Sequence, residues 1–107
     1  MKLKKLKQLK DAVIEAPLKF EFGGVLFDFT AKVKLASKGE IAELTSGGKS
    51  DFDIVKSLLV GWDKFEDEGQ SVEFSQDVLN ELAQYDGIIG RISVECINAQ
   101  YRVQEKN

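Results

Sequence analysis

The chain has 107 residues, of which 43% are hydrophobic and 31% are charged, and its net charge is −3 at pH 7. This size and composition predict one globular domain over residues 1–107, large enough to bury a core without disulfides or metals. The single cysteine excludes an intramolecular disulfide, and an apolar run such as Leu58-Leu59-Val60 is far short of the ~20 residues that span a bilayer.

The charge is unevenly distributed along the chain. Residues 1–10 hold five lysines and no acid, whereas the remaining residues hold 10 basic and 18 acidic side chains. Residues 51–86 contain ten acids and two lysines, a field that repels phosphates, so we expect no nucleic-acid partner. Two interpretations of the basic tip stay open. In the first, the tip is a solvated, frayed terminus, and the protein has no membrane partner. In the second, the tip contacts an anion or a membrane surface.

The first predicted element is an amphipathic segment within residues 1–16. Leu3, Leu6 and Leu9 or Val13 fall near one helical face, with lysines opposite. Pro17 ends this pattern, because the residue before a proline is pushed out of the helical region. A short, strongly cationic helix is marginal unless it docks on something, so we expect residues 1–16 to be helical or loose.

Residues 18–35 carry the clearest strand pattern. Apolar and polar residues alternate on both sides of Gly23-Gly24, which supplies the positive φ values of a two-residue hairpin turn. This turn sets a register with three facing apolar pairs: Phe22 and Val25, Phe20 and Phe27, and Leu18 and Phe29. All six side chains then share one face, which needs a cover because a two-stranded ribbon is not stable alone.

Helices are expected to supply that cover. Four helix starts are predicted from capping residues: Ser37 with Glu40, Ser50 or Asp51, Ser75, and Asp86. The second helix is expected to carry an apolar stripe that ends at the only tryptophan: Phe52, Val55, Leu59 and Trp62. Arg91 and Glu95 are expected to pair on the solvated side of the fourth helix. Val72 and Phe74 form a short third strand in an alternative interpretation.

The predicted fold class is therefore α+β. An N-terminal antiparallel β-hairpin, at about residues 18–35, is expected to pack against three to four short helices in the C-terminal two-thirds of the chain.

Several patterns resemble catalytic or metal sites, and none fits the chemistry. Gly47-Gly48-Lys49-Ser50 ends like a phosphate-binding loop, but the first glycine position of that loop is Glu43. The acidic stretch 63–73 lacks the ligand and glycine positions of a calcium loop. The chain has no histidine, and Cys96 falls on an apolar helical face. We therefore expect a protein that is not an enzyme and that uses no cofactor or metal.

Protein binding is the remaining class of function. Trp62 is a candidate anchor, because tryptophan buries a large area and keeps one polar handle, although its place at the end of an apolar stripe favours a core role. Leu26 and Val60 lie off the face that the apolar spacing of their elements predicts to be buried. They are therefore better candidates for exposed contacts. Phe65, in the acidic stretch, completes the predicted protein-binding set.

Part of this pattern resembles a known family. The run Leu58-Leu59-Val60-Gly61-Trp62-Asp63, then Gly69, Val72-Glu73-Phe74-Ser75 and Val78-Leu79, resembles tail assembly chaperones of long-tailed bacteriophages and prophages. The lysine-rich opening, the Ala16-Pro17 step and the strand from Phe27 to Leu35 also look like the N-terminal half of that family. The loop reads Glu68-Gly69 where the family has Asp-Gly.

The resemblance implies a function without catalysis. Such chaperones act in the cytoplasm of the host bacterium, coat the tape measure protein, help tail tube subunits to polymerise and are absent from the mature virion. The expected partners are the tape measure protein, the tail tube protein and further copies of the chain in a homo-oligomer. The alternative interpretation is a small adaptor that binds another protein through the edge of its hairpin.

Overall fold

The structure is a computed structural model that describes residues 3–103. Its elements are, in order, helix α1 (Lys4–Lys7), strands β1 (Val13–Phe22) and β2 (Val25–Lys34), helices α2 (Lys38–Leu44) and α3 (Asp51–Leu58), strands β3 (Leu59–Asp63), β4 (Glu66–Asp67) and β5 (Gln70–Ser71), helices α4 (Gln76–Leu82) and α5 (Asp86–Asn98), and a 3-10 turn (Ala99–Tyr101). Strands β1, β2 and β3 form an antiparallel sheet in that order. The predicted α+β class is confirmed.

The hairpin of β1 and β2 has the predicted turn and register. Gly23 and Gly24 have φ values of 59° and 82°, and Phe22 lies opposite Val25. The pairing extends to Val13, five residues before the predicted start. Phe22 and Val25 close the turn as a hydrogen-bonded pair, so the backbone N–H and C=O groups of every second residue of β1 face β2. Pro17 lies between two such residues, and its nitrogen points away from β2. The proline therefore removes no hydrogen bond between β1 and β2.

The amphipathic segment predicted within residues 1–16 is helical for only one turn, α1. No residue of α1 is buried, so no tertiary contact extends a helix that is marginal by itself. The chain joins the sheet from Val13 onwards because pairing with β2 satisfies its backbone groups. Met1, Lys2 and residues 104–107 lie outside the described part of the chain.

Trp62 lies on a strand, so its predicted place on the second helix is wrong. Helix α3 ends at Leu58, and the next five residues form β3, in which Trp62 pairs with Ala31 of β2. The register shifts between Lys32 and Val33, where β3 has one extra residue, and Val60 is that unpaired residue of the bulge. The apolar spacing of Phe52, Val55, Leu59 and Trp62 predicts a helix, but pairing with β2 prevails from Leu59 onwards. The strand pairing satisfies the backbone hydrogen bonds of this segment and still turns the Trp62 side chain into the core.

The acidic stretch is a second, shorter hairpin. Strands β4 and β5 pair across a two-residue turn at Glu68 and Gly69, whose φ values are 51° and 79°. The alternative third strand at Val72 and Phe74 is wrong, because the third strand of the sheet is β3. We call β4, β5 and their turn, residues 66–71, the acidic hairpin.

The helix caps follow the sequence in three of four cases. Ser37 with Glu40 and Ser50 with Asp53 form complete capping boxes, and the Ser75 hydroxyl accepts a bond from the Val78 N–H. The fourth predicted cap is wrong. Tyr85 precedes α5 as its N-cap without a side-chain bond, and Asp86 is the first residue of the helix.

One hydrophobic core lies between the sheet and the helices. Residues from β1, β2, α3, β3, α4 and α5 contribute to it, and the largest fully buried side chains are Leu18, Val33, Val55, Leu58, Leu79, Ile92 and Cys96. Each fully buried aliphatic side chain stabilises the fold by about 1.5–3 kcal/mol relative to exposure. The predicted face of the hairpin is covered at Leu18 and Phe29, but Phe22 and Val25 beside the turn are 38% and 56% exposed, so the expected cover does not extend to the turn.

The carboxylate of Glu95 is buried, so its predicted place on the solvated side of the fourth helix is wrong. Only 6% of Glu95 is exposed, and Arg91 and Arg102 donate to its two oxygens over 3.4 and 2.6 Å. Arg102 also donates to the backbone oxygen of Glu15 over 3.5 Å. Pairing with two guanidinium groups allows this carboxylate to leave water and fastens the end of the described chain to β1.

Candidate protein-binding groove

The four predicted binding residues lie in three different environments. Leu26 and Val60 are exposed, at 59% and 48%, as their positions predict. Phe65 is half-buried, and Trp62 is 7% exposed and belongs to the core. About 20 Å of strand separates Leu26 from the part of β2 that faces Val60, so these two residues do not share a surface.

A groove of about 460 Å³ brings Leu26 and Phe65 together near the tip of the first hairpin. Eight of its lining residues are apolar: Val25, Leu26, Phe27, Phe29, Phe65, Val72, Val78 and Leu82. The other five are all acidic: Asp28, Glu66, Asp67, Glu68 and Glu81. We call this surface the acidic groove, because its described lining is apolar or negatively charged throughout.

The acidic groove exists because β2 is longer than its neighbour. Strand β3 pairs with β2 only from Thr30 to Val33, which leaves the edge of β2 from Val25 to Phe29 without a strand beside it. The acidic hairpin and α4 approach this free edge from the other sides. The N–H and C=O groups of Leu26 and Asp28 point away from β1, towards the side on which β3 lies.

Trp62 supports the groove from beneath. Its ring stacks on Phe65 with 4.7 Å between centroids and meets Phe74 edge-on at 4.8 Å. Its indole N–H donates to the backbone oxygen of Val72 over 2.8 Å. Phe65 also packs on Phe29 at 4.9 Å. These contacts hold two lining residues from the ends of the acidic hairpin in place, so the groove is formed before anything binds.

Sequence reasoning missed most of the groove. The alternation placed Val25 and Phe27 on a covered face, but it carried no sign that β3 would stop short of them. The acidic stretch was weighed only as a calcium loop, although its concentration of carboxylates next to Phe65 was a signal of a charged rim. Val78 and Leu82, which are half-buried in the groove wall, carried no such signal.

A second cavity, of about 710 Å³, lies at the other end of the sheet. Its lining combines Val13 and Ile14 with Glu15, Lys32 and Arg102. The charges are of both signs, and Arg102 is already engaged with Glu95 and the backbone of Glu15. This cavity therefore does not favour a ligand of one particular charge, in contrast to the acidic groove.

Within residues 3–103, no three histidine, cysteine, aspartate or glutamate side chains cluster as metal ligands would. Cys96 is fully buried, and burial followed by the nearby Glu95 charge raises the pKa of its thiol to about 12. In the same part of the chain, no helix combines the length and apolar character needed to cross a bilayer.

Comparison of the chain with protein-family models, with curated proteins and with solved structures finds no match.

Proposed function

We propose that the chain is a non-enzymatic tail assembly chaperone of a long-tailed bacteriophage or prophage. In this proposal it binds the tape measure protein and assists polymerisation of the tail tube. It acts in the cytoplasm of the host bacterium and is absent from the mature virion. The resemblance carried by Val60-Gly61-Trp62-Asp63, Gly69 and Val72-Glu73-Phe74-Ser75 supports the family, and the acidic groove supports binding of a protein client.

The acidic groove is the single observation that carries the binding function. Its exposed apolar residues can cover apolar side chains of an aggregation-prone client, and the surrounding carboxylates favour a client segment with basic residues beside them. Like charge on neighbouring chaperone bodies opposes their indiscriminate association while they coat a long client.

Co-expression with a fragment of a tape measure protein, taken from the genome that encodes this chain, tests the proposal. We expect the two proteins to co-purify and the tape measure fragment to stay soluble. Leu26→Asp, in the groove, is expected to weaken the complex about tenfold or more by placing a charge in the apolar contact. Val60→Asp is the matched control, because Val60 is similarly exposed but lies outside the groove.

Two results would contradict this function. The first is a folded chaperone that neither solubilises nor co-purifies with the tape measure fragment. The second is a genome in which no tape measure gene lies beside this chain. Mass spectrometry of purified virions tests the expected absence of the chain from the finished particle.

An adaptor that binds through a hairpin edge is the second candidate, and the free edge of β2 is the observation that favours it. On β1, Pro17 offers no N–H and Arg102 occupies the oxygen of Glu15, so that edge is a poor template for another strand. On β2, the backbone groups of Leu26 and Asp28 are turned towards the groove. A pull-down from the native cell that captures another protein in place of the tape measure protein, and loses it with Leu26→Asp, would favour the adaptor.

A further inference from the structure

The N-terminal arm, which we define as Leu3–Lys10, has an apolar stripe with nothing packed against it. Leu3, Leu6 and Leu9 are exposed at 51%, 57% and 47%, and their spacing of three residues places them near one face of a helix. No residue of α1 is buried. Three exposed leucines on one side of a short segment form an apolar face of the kind that marks interaction sites.

The arm is also the main concentration of positive charge. Lys4, Lys5, Lys7 and Lys10 lie within it without any acid. The ion pairs found among residues 3–103 use Lys32, Lys34, Arg91 and Arg102, and none uses a lysine of the arm. The arm therefore presents both an apolar face and unpaired cations.

The acidic groove complements both the apolar face and the positive charge of the arm. Its described lining combines apolar side chains with five carboxylates and includes no lysine or arginine. An amphipathic helix placed in such a groove can bury its leucines between Phe65 and Leu82 while its lysines meet the acidic rim. Docking would also supply the tertiary contact that the arm needs to be a stable helix.

The arm cannot reach the groove of its own chain. It joins the sheet at Val13, opposite Lys34, whereas the groove lies beside Val25 to Phe29 at the other end of β2. The near end of the groove at Phe29 lies about 17 Å along the strand from Lys34 and its far end at Val25 lies about 30 Å away, whereas an arm of eight helical residues spans only about 12 Å. A bond of 3.0 Å from the Leu35 N–H to the Ala12 oxygen fixes the base of the arm at the far end.

We propose that the arm of one copy docks in the acidic groove of a second copy. Each chain then offers one arm and one groove at opposite ends, so the contact is heterologous and generates a ring or an open row of copies. This inference needs no client and goes beyond the proposed function. A client segment with the same chemistry would compete with the arm for the groove.

Sedimentation velocity of the full chain without any client measures the contact. We expect association that grows with protein concentration at about 50 mM salt and weakens strongly at about 500 mM, because the contact is electrostatic and solvent-exposed. The arm variant Lys4→Glu with Lys7→Glu should weaken association about tenfold or more. The control Lys38→Glu with Lys49→Glu makes the same charge change at exposed lysines outside the arm and should associate as the native chain does.

Mixing the arm variant with a groove variant provides the decisive test. The groove variant Glu66→Lys with Glu81→Lys lowers the charge of the groove lining from five net negative charges to one, so it should also weaken self-association. Mixing the two variants should restore association into pairs, because the native arm of the groove variant then meets the native groove of the arm variant. Circular dichroism confirms that each variant is folded.

The proposal is overturned if the native chain stays monomeric at low salt, if the control dissociates as the arm variant does, or if the mixture remains monomeric. None of these measurements involves the tape measure protein, so failure of this inference is distinct from failure of the proposed function.

Discussion

Replacing Trp62 by alanine tests whether this residue is a core support or a contact residue. The substitution removes a side chain that is 7% exposed and packs on Phe65 and Phe74. It also removes the donor to the Val72 oxygen. Truncating a buried tryptophan costs about 3–5 kcal/mol, a large share of the roughly 5–15 kcal/mol that stabilises a domain of this size.

Two further substitutions divide this loss into its causes. Trp62→Phe keeps an aromatic ring in the core but loses the indole N–H, so we expect a cost of about 1–2 kcal/mol from the unpaired Val72 oxygen and the smaller ring. Val60→Ala is the matched control on the same strand. Val60 is 48% exposed, so its truncation should change the free energy of unfolding by no more than about 0.5 kcal/mol.

Urea denaturation followed by far-ultraviolet circular dichroism is the assay, because the two Trp62 variants lack the only tryptophan and cannot be followed by its fluorescence. We expect a lower midpoint for Trp62→Ala with a similar slope. A loss below about 1 kcal/mol would refute the core role. If such a folded variant also failed to bind the tape measure protein, Trp62 would be a contact residue.

Three other predictions follow from close contacts in the fold. A Cβ on Gly87 would overlap the ring of Phe22, so Gly87→Ala should destabilise the native protein but stabilise the Phe22→Ala variant by about 0.5–1 kcal/mol, measured by a double-mutant cycle in urea. Arg102→Ala should cost about 2 kcal/mol in the same assay, because Glu95 stays buried and loses its shorter bond. Cys96 should resist alkylation at about pH 8 until the protein unfolds. Because its thiol pKa rises from 9.0 to about 12 on folding, stability should fall as the pH increases through that range.

Local chemistry made much of the fold predictable. The glycine pair at 23–24 requires positive φ at two successive residues, and that requirement alone set the register of the first hairpin. The helix starts at Ser37, Ser50 and Ser75 were equally predictable, because a cap satisfies backbone groups within three residues of itself.

The candidate site was predictable only in part. Leu26 was identified as exposed because it breaks the alternation of its strand, and Phe65 lies in the same groove. Val60 was also correctly expected to be exposed, but it lies on another surface. The distance between two exposed residues depends on strand lengths and on the bulge at Val60, and neither is encoded in the periodicity of one segment.

The sequence by itself determined the fold class, the hairpin register and the separation of a basic arm from an acidic body, because turns, caps and charges act through neighbouring residues. Tertiary structure decided that Trp62 lies on a strand, since only pairing with Ala31 could override the helical spacing around it. Tertiary structure also decided that β2 extends beyond β3 and leaves an apolar edge among carboxylates. The acidic groove is a product of that mismatch between strand lengths, which no single segment of the chain contains.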